Sequence, residues 1–191
     1  IGGKYFYFNG QGELQKGCFP VNGDLCQSKE NGELCQNEFY TDPVTGETYY
    51  YKSSLWREKD RCIKIGDYWY YFDKTGVMQT GFTDIGGYRY YFNEAGRMQS
   101  GEIYVDGKTY YTGDKWELQS GWQKIDGKWR YFTFDTKEEV ETESDPEKPD
   151  WVVKEGKEYY FINGKEPAVG LQNIGGKYFY FNGQGELQKG C

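Results

Sequence analysis

The sequence predicts an all-β protein, a β-hairpin solenoid of about eight 20-residue units, and three observations carry that prediction. The chain repeats itself with a period of 20 residues, each period holds a short aromatic run between turn signals, and 27 glycines stand against 5 prolines. A period of this length marks an architecture in which each repeat is one supersecondary unit. A lone two-stranded hairpin is marginal in water, so neighbouring units must stack to bury their aromatic faces.

The units read in order as 18–37, 38–61, 62–81, 82–101, 102–121, 122–150, 151–170 and 171–190, with 1–17 as the tail of a preceding one. "CIKIGDYWYYFDKTGVMQTG" (62–81) and "FTDIGGYRYYFNEAGRMQSG" (82–101) show the pattern best. In the well-formed units a turn residue such as Gly87 or Gly107, once Asp67, precedes the aromatic run, a polar turn follows, and a second short strand ends in a run such as "MQTG" or "LQSG". The fourth residue after that turn is Tyr in every well-formed unit (Tyr50, Tyr71, Tyr91, Tyr111, Tyr131, Tyr160, Tyr180), which reads as core. The second residue varies freely, through Thr48, Trp69, Arg89, Thr109, Trp129, Glu158 and Tyr178.

Composition agrees. Leu, Ile, Val and Phe make only 35 of 191 residues, but 20 Tyr, 6 Trp and 12 Phe supply the buried area instead. A mean hydropathy of -0.93 argues against a membrane span or an apolar signal segment. The net charge of -7 and a pI of about 4.8 argue against nucleic acid as partner. There is no His, so Ser-His-Asp and Cys-His catalysis are excluded, and no glycine motif opens a helix to cradle phosphate. The carboxylates show no pairing that marks a glycosidase. The chain reads as a binder, with no catalytic residue, no cofactor and no metal site.

The repeated pattern, close to GWxxxxGxWYYFxxxGxMxxG, resembles the choline-binding or cell-wall-binding repeats of Gram-positive surface proteins, and the related glucan-binding and clostridial-toxin repeats. That resemblance implies hairpins wound into a superhelix, with ligand sites between consecutive units built as aromatic cages from the Trp of "GW" and the aromatics of "WYY". A quaternary ammonium suits such a cage because its charge lies against ring faces. Here the "GW" position is eroded to Cys18, Glu38, Cys62, Phe82, Glu102, Trp122, Trp151 and Leu171, so a full series of cages cannot be built. At best one or two sets remain, around Trp69, Tyr71 and Phe82 or around Trp122, Trp129 and Trp151.

Four cysteines precede the 173-residue repeat of the chain's opening, an even number that suits an oxidising extracellular setting. Cys26 and Cys35 fall opposite each other in a hairpin with a four-residue turn, which predicts a Cys26–Cys35 disulfide and leaves Cys18–Cys62 as the second pair. A zinc site is disfavoured, since neither His nor a C-x-x-C spacing is present. One unit carries an acidic insertion, "KEEVETESDPEKPD" (137–150), with seven acids and two lysines. It reads as a solvated turn or as an extension of the hairpin that projects a recognition surface.

The chain closes on the eighteen residues with which it opens, "IGGKYFYFNGQGELQKGC". The expected reading is one module of a tandem array, which raises avidity for a multivalent partner; a deliberately duplicated cap would give the same text. Two functions follow. In the first, an extracellular or surface-attached module captures a host protein or glycoprotein, as antibody-binding superantigens do, with immunoglobulin as the instance the analogy suggests. Its contacts would come from the varied Trp69, Arg89, Trp116, Trp129 and Arg130. In the second, the module anchors to choline-bearing teichoic acid or a wall glycan. The eroded "GW" column favours the first.

Overall fold

The computed structural model describes residues 3–133, 135–141, 150–154, 156–162 and 166–189. Among these residues lie eighteen strands and no helix. The strands run β1 (Cys18–Val21), β2 (Asp24–Gln27), β3 (Glu38–Thr41), β4 (Thr48–Tyr51), β5 (Arg61–Ile65), β6 (Tyr68–Phe72), β7 (Gly81–Ile85), β8 (Tyr88–Phe92) and β9 (Glu102–Val105). They continue with β10 (Lys108–Tyr111), β11 (Gly121–Ile125), β12 (Lys128–Phe132), β13 (Glu139–Val140), β14 (Trp151–Lys154), β15 (Lys157–Ile162), β16 (Glu166–Pro167), β17 (Gly170–Ile174) and β18 (Lys177–Phe181). Each sheet has only two or three strands and is local in sequence: β1–β2, β3–β4, β5–β6, β7–β8, β9–β10, β11–β12–β13, β14–β15–β16 and β17–β18.

The hairpin is offset from the one expected. The strand before the turn residue pairs with the aromatic run, as in Cys62 opposite Tyr71, Trp122 opposite Tyr131 and Leu171 opposite Tyr180. Turns such as Asn22–Gly23 (φ 53° and 88°) and Asp126–Gly127 (49° and 80°) put both central residues in the left-handed region. That is the type I′ geometry whose twist matches the strands. The segment after the polar turn, expected as the second strand of the hairpin, is a third strand instead. It makes one bridge, as in Phe72 to Met78, Phe92 to Met98 and Phe181 to Leu187.

A side chain closes the loop before that third strand. Asn93 Oδ1 accepts the N–H groups of Ala95 (3.1 Å) and Arg97 (3.0 Å), and Asp73 and Asn182 do the same in their own units. The loop then needs a left-handed residue, most often glycine. At Gly32 (φ 85°) the demand is double, because an added Cβ would lie 2.5 Å from Leu14 Cδ2 of the preceding repeat.

Stacking is carried by a backbone bond that recurs. Met78 N–H donates to Thr48 O (2.7 Å), Met98 N–H to Trp69 O (2.8 Å), Leu118 N–H to Arg89 O (2.8 Å) and Leu187 N–H to Glu158 O (2.7 Å). Each acceptor is the freely varying second residue. Its carbonyl holds the next repeat whatever its side chain, which explains how that column tolerates Thr, Trp, Arg and Glu.

By contacts the chain divides into two compact units, residues 1–83 with 91–98 and residues 84–90 with 99–191. Inside the first, Cys35, Tyr49 and Tyr51 form a core cluster against Tyr40 and Val77, and Tyr70, Phe72 and Phe92 are buried. Inside the second, Ile103, Tyr110, Leu118, Tyr131, Phe132, Val152 and Phe181 are buried. These positions correct the expected core. The buried column holds the third and fifth residues after the turn, such as Tyr70 with Phe72, while Tyr180 in the fourth is 55 % exposed and, among the described fourth-position tyrosines, only Tyr131 is buried. The fourth Tyr is constant because its ring leans on the fifth residue of the next hairpin: Tyr50 on Phe72 at 6.3 Å, Tyr71 on Phe92 at 6.5 Å, Tyr111 on Phe132 at 6.1 Å.

The disulfide expectation is also corrected. Cys18, Cys26, Cys35 and Cys62 are free thiols. The loop between Cys26 and Cys35 has three central residues, not four, since Lys29 N–H donates to Glu33 O (2.8 Å) and Gly32 N–H to Lys29 O (2.9 Å). Cys35 therefore stands opposite Gln27, with its N–H on Gln27 O at 2.8 Å, while Cys26 stands opposite Phe19. One step out of register, the two side chains leave opposite faces of the strand. Both are buried, and burial pushes the Cys35 thiol up to about 11. Cys18 is exposed and accepts from Arg57 Nη2 at 3.4 Å, whereas Cys62 faces Tyr71.

Of the acidic insertion, residues 142–149, on which the expected projection falls, lie outside the described residues. What precedes them folds back. β13 takes the place of the third strand, Glu138 pairs with Lys108 (2.5 Å), and Glu139 pairs with Arg130.

Candidate functional site

Alternation along the second strand of each hairpin decides which side chains can reach a ligand. Since the third and fifth residues face the core, the second and fourth face out, beside the residue at the "GW" position across the hairpin. Trp69 (38 % exposed), Trp129 (48 %) and Tyr178 (71 %) are on this open face, as is Phe82 (40 %).

The first expected set does not close into one described cage. Phe82 packs on Tyr91 (4.9 Å between ring centroids), half-buried Tyr71 leans on Phe92, and the carbonyl of Trp69 is taken by Met98. The second set separates as well. Trp122 meets Tyr131 edge-on at 5.4 Å, its Nε1 buried and without a partner among the described residues. Trp129 has the Lys124 ammonium 5.7 Å from its ring. Trp151 packs on Tyr160 (5.2 Å) of its own hairpin and on Phe179 (5.2 Å) and Phe181 (6.1 Å) of the next.

Three other expected contact residues are engaged within the chain. The Arg89 guanidinium binds both carboxylate oxygens of Asp84 (2.9 and 3.0 Å) and holds that carboxyl below its usual range. Arg130 joins Glu139 and Glu102, and those partners push its own pKa upward. Trp116 is a turn residue at φ 68°, with its N–H on Gly113 O at 2.9 Å. Chain cations also cover aromatic faces, with Arg57 3.8 Å above Tyr49 and Arg97 4.1 Å above Tyr68.

An open cleft of about 820 Å³ lies between hairpins β14–β15 and β17–β18. Trp151, Leu171, Tyr178 and Tyr180 wall it, and Glu158, ion-paired to Lys189, edges it. Such a recess offers ring faces that attract a cation and a polar edge that can hydrogen-bond a hydroxyl-rich ligand. Of these residues sequence reasoning singled out Trp151 alone. It also missed a ring cluster in the first unit, Phe39 against Tyr50 (5.1 Å) and Tyr70 (5.1 Å). The expected "GW" position there was Glu38, but the longer loop between β3 and β4 moves the register so that Phe39 faces Tyr50. Among the described residues no group of three or more His, Cys, Asp or Glu could hold a metal ion, and no helix is long and apolar enough to cross a membrane.

Residues 79–115 match the choline-binding repeat family, and residues 63–78, 120–135 and 169–187 match the putative cell wall binding repeat. No curated protein matches by sequence. Choline binding protein F from Streptococcus pneumoniae, solved in the presence of a peptidoglycan analogue (tetrasaccharide-pentapeptide), is similar at 23 % identity and a TM-score of 0.63, over 96 % of this chain and 61 % of that one. CbpF in complex with ipratropium gives 23 % and 0.62 over 96 % and 62 %. The modular autolysin LytC from Streptococcus pneumoniae, in complex with a synthetic peptidoglycan ligand, gives 24 % and 0.61 over 98 % and 46 %. The chain thus spans about three fifths of the first structure and under half of the autolysin. These likenesses show the fold.

Proposed function

We propose that this chain, which belongs to the choline-binding and cell-wall-binding repeat family, is a non-catalytic, extracellular wall-anchoring module that holds a choline-type cation or a wall glycan between consecutive hairpins. The observation that carries the reading is the cleft walled by Trp151, Tyr178 and Tyr180 and edged by Glu158. A quaternary ammonium cannot donate a hydrogen bond, so ring faces and a nearby carboxylate are the groups that can hold it. A sugar would stack on the same rings and bond to the polar edge.

This ordering reverses the one the eroded "GW" column suggested. Host-protein capture, immunoglobulin included, drew on Trp69, Arg89, Trp116, Trp129 and Arg130; of these Arg89, Arg130 and Trp116 serve the scaffold, and Trp69 and Trp129 stay on the open face. Among the structural neighbours, choline binding protein F was solved with a peptidoglycan analogue and with ipratropium, and LytC with a synthetic peptidoglycan ligand.

Choline titration followed by thermal unfolding and Trp fluorescence tests the proposal. A ligand that binds only the folded chain stabilises it by about 2.7 kcal/mol at a hundred times its Kd. A saturable rise in Tm that Trp151→Ala abolishes is the expected result. No shift with choline, a peptidoglycan fragment or a glucan would remove the reading.

A further inference from the structure

The seventeen residues 174–190 repeat residues 1–17, yet the two copies have different surroundings. In the first copy a neighbouring unit, 18–37, covers one face. Tyr7 stacks on Phe19 (5.3 Å, 25° between planes), Leu34 N–H donates to Tyr5 O (2.8 Å), Lys4 Nζ pairs with Glu33 (2.8 Å), and Leu14 fills the space above Gly32. Gly17 joins through both of its backbone groups, its N–H on Ser28 Oγ (2.9 Å) and its O accepting from Ser28 N–H (3.0 Å). In the second copy the corresponding residues are Tyr180, Tyr178, Lys177 and Leu187, and the face is open: Tyr178 is 71 % exposed and Tyr180 55 %, against 49 % for Tyr5 and a half-buried Tyr7.

We propose that the outer face of hairpin β17–β18 is the docking surface for a second copy of the 18–37 unit, seated on 176–189 as the first copy is seated on 3–16. Every gripping residue named above for the first copy within 3–16 has its identical counterpart on that face. The occupant is specified by those contacts: a ring to lie on Tyr180, an N–H for the carbonyl of Tyr178, a carboxylate for Lys177 and a glycine under Leu187. Consecutive modules joined this way meet at this face with no linker between them. Tyr178 and Tyr180 also wall the cleft proposed above as the ligand site, so a docked module borders that cleft, but the seating contacts are the same whatever the cleft binds.

The test is a chain in which a second copy of residues 18–191 follows Gly190, compared with the single chain by hydroxyl-radical labelling and amide hydrogen exchange. Labelling of Tyr178 and Tyr180 in the first module should fall to the level of Tyr5 and Tyr7. The Leu34 amide of the second module should exchange as slowly as that of the first, with Met78 in both as the control that each module is folded. Unchanged labelling of the two tyrosines, or a fast Leu34 amide beside a protected Met78 in the second module, overturns the proposal.

Discussion

Leu55 (φ 74°) and Trp116 (φ 68°) occupy the loop position that Gly32, Gly76, Gly96 and Gly185 hold in other repeats. A left-handed backbone costs an L-residue about 1–2 kcal/mol. Leu55→Gly should therefore raise stability by about 1 kcal/mol, read as a higher urea midpoint without a change in m-value. Gly32→Ala should lose more than the backbone cost alone, about 2 kcal/mol or above, because its Cβ would also meet Leu14. The position of Trp116 was legible, since "GDKWE" aligns with "DKTGV", and its Trp stands in the glycine column. It was assigned to an interface because an unburied Trp suggests one. The backbone angle that gives it a turn role is invisible in composition.

At the level of elements, the hairpin and its period could be read from turn residues and aromatic runs, because both are local signals. The third strand could not be assigned, because its pairing is divided between one bridge in its own repeat and one bond to the previous repeat. That bond predicts slow hydrogen exchange at Met78, Met98, Leu118 and Leu187, even though their acceptors carry unrelated side chains. Fast exchange at those amides in a folded chain would mean that the repeats are held by side chains alone. Arg130 makes the complementary case. It ties β12 to Glu139 of β13 and to Glu102 of β9, so Arg130→Ala should lower stability by about 1 kcal/mol while leaving ligand affinity unchanged. A loss of affinity without a loss of stability would return Arg130 to the binding face.

For the molecule as a whole, a core of tyrosines and thiols makes alkaline pH the weak side. Burial, the largest cause, raises Cys35 from 9.0 to about 11 and Tyr51 and Tyr131 from 10.0 to about 12. The unfolded chain releases these protons first, so stability is fully present below about pH 9 and falls as pH rises toward 12. The urea midpoint should drop across that window, and Cys35→Ser should blunt its lower part; a flat profile would contradict the buried assignment. Fold class was legible because one pattern is written many times over. The site was not, because the cleft draws Trp151 and Glu158 from one repeat and Tyr178, Tyr180 and Lys189 from the next, and only the register brings them together. Anchoring of the module to the cell wall through this cleft is tested most directly by co-sedimentation with purified choline-bearing walls. The folded chain should pellet with the walls, free choline or a wall glycan should release it, and Trp151→Ala should stay in solution with an unchanged circular dichroism spectrum. Failure of the wild-type chain to sediment, or sedimentation equal for Trp151→Ala, would contradict the claim.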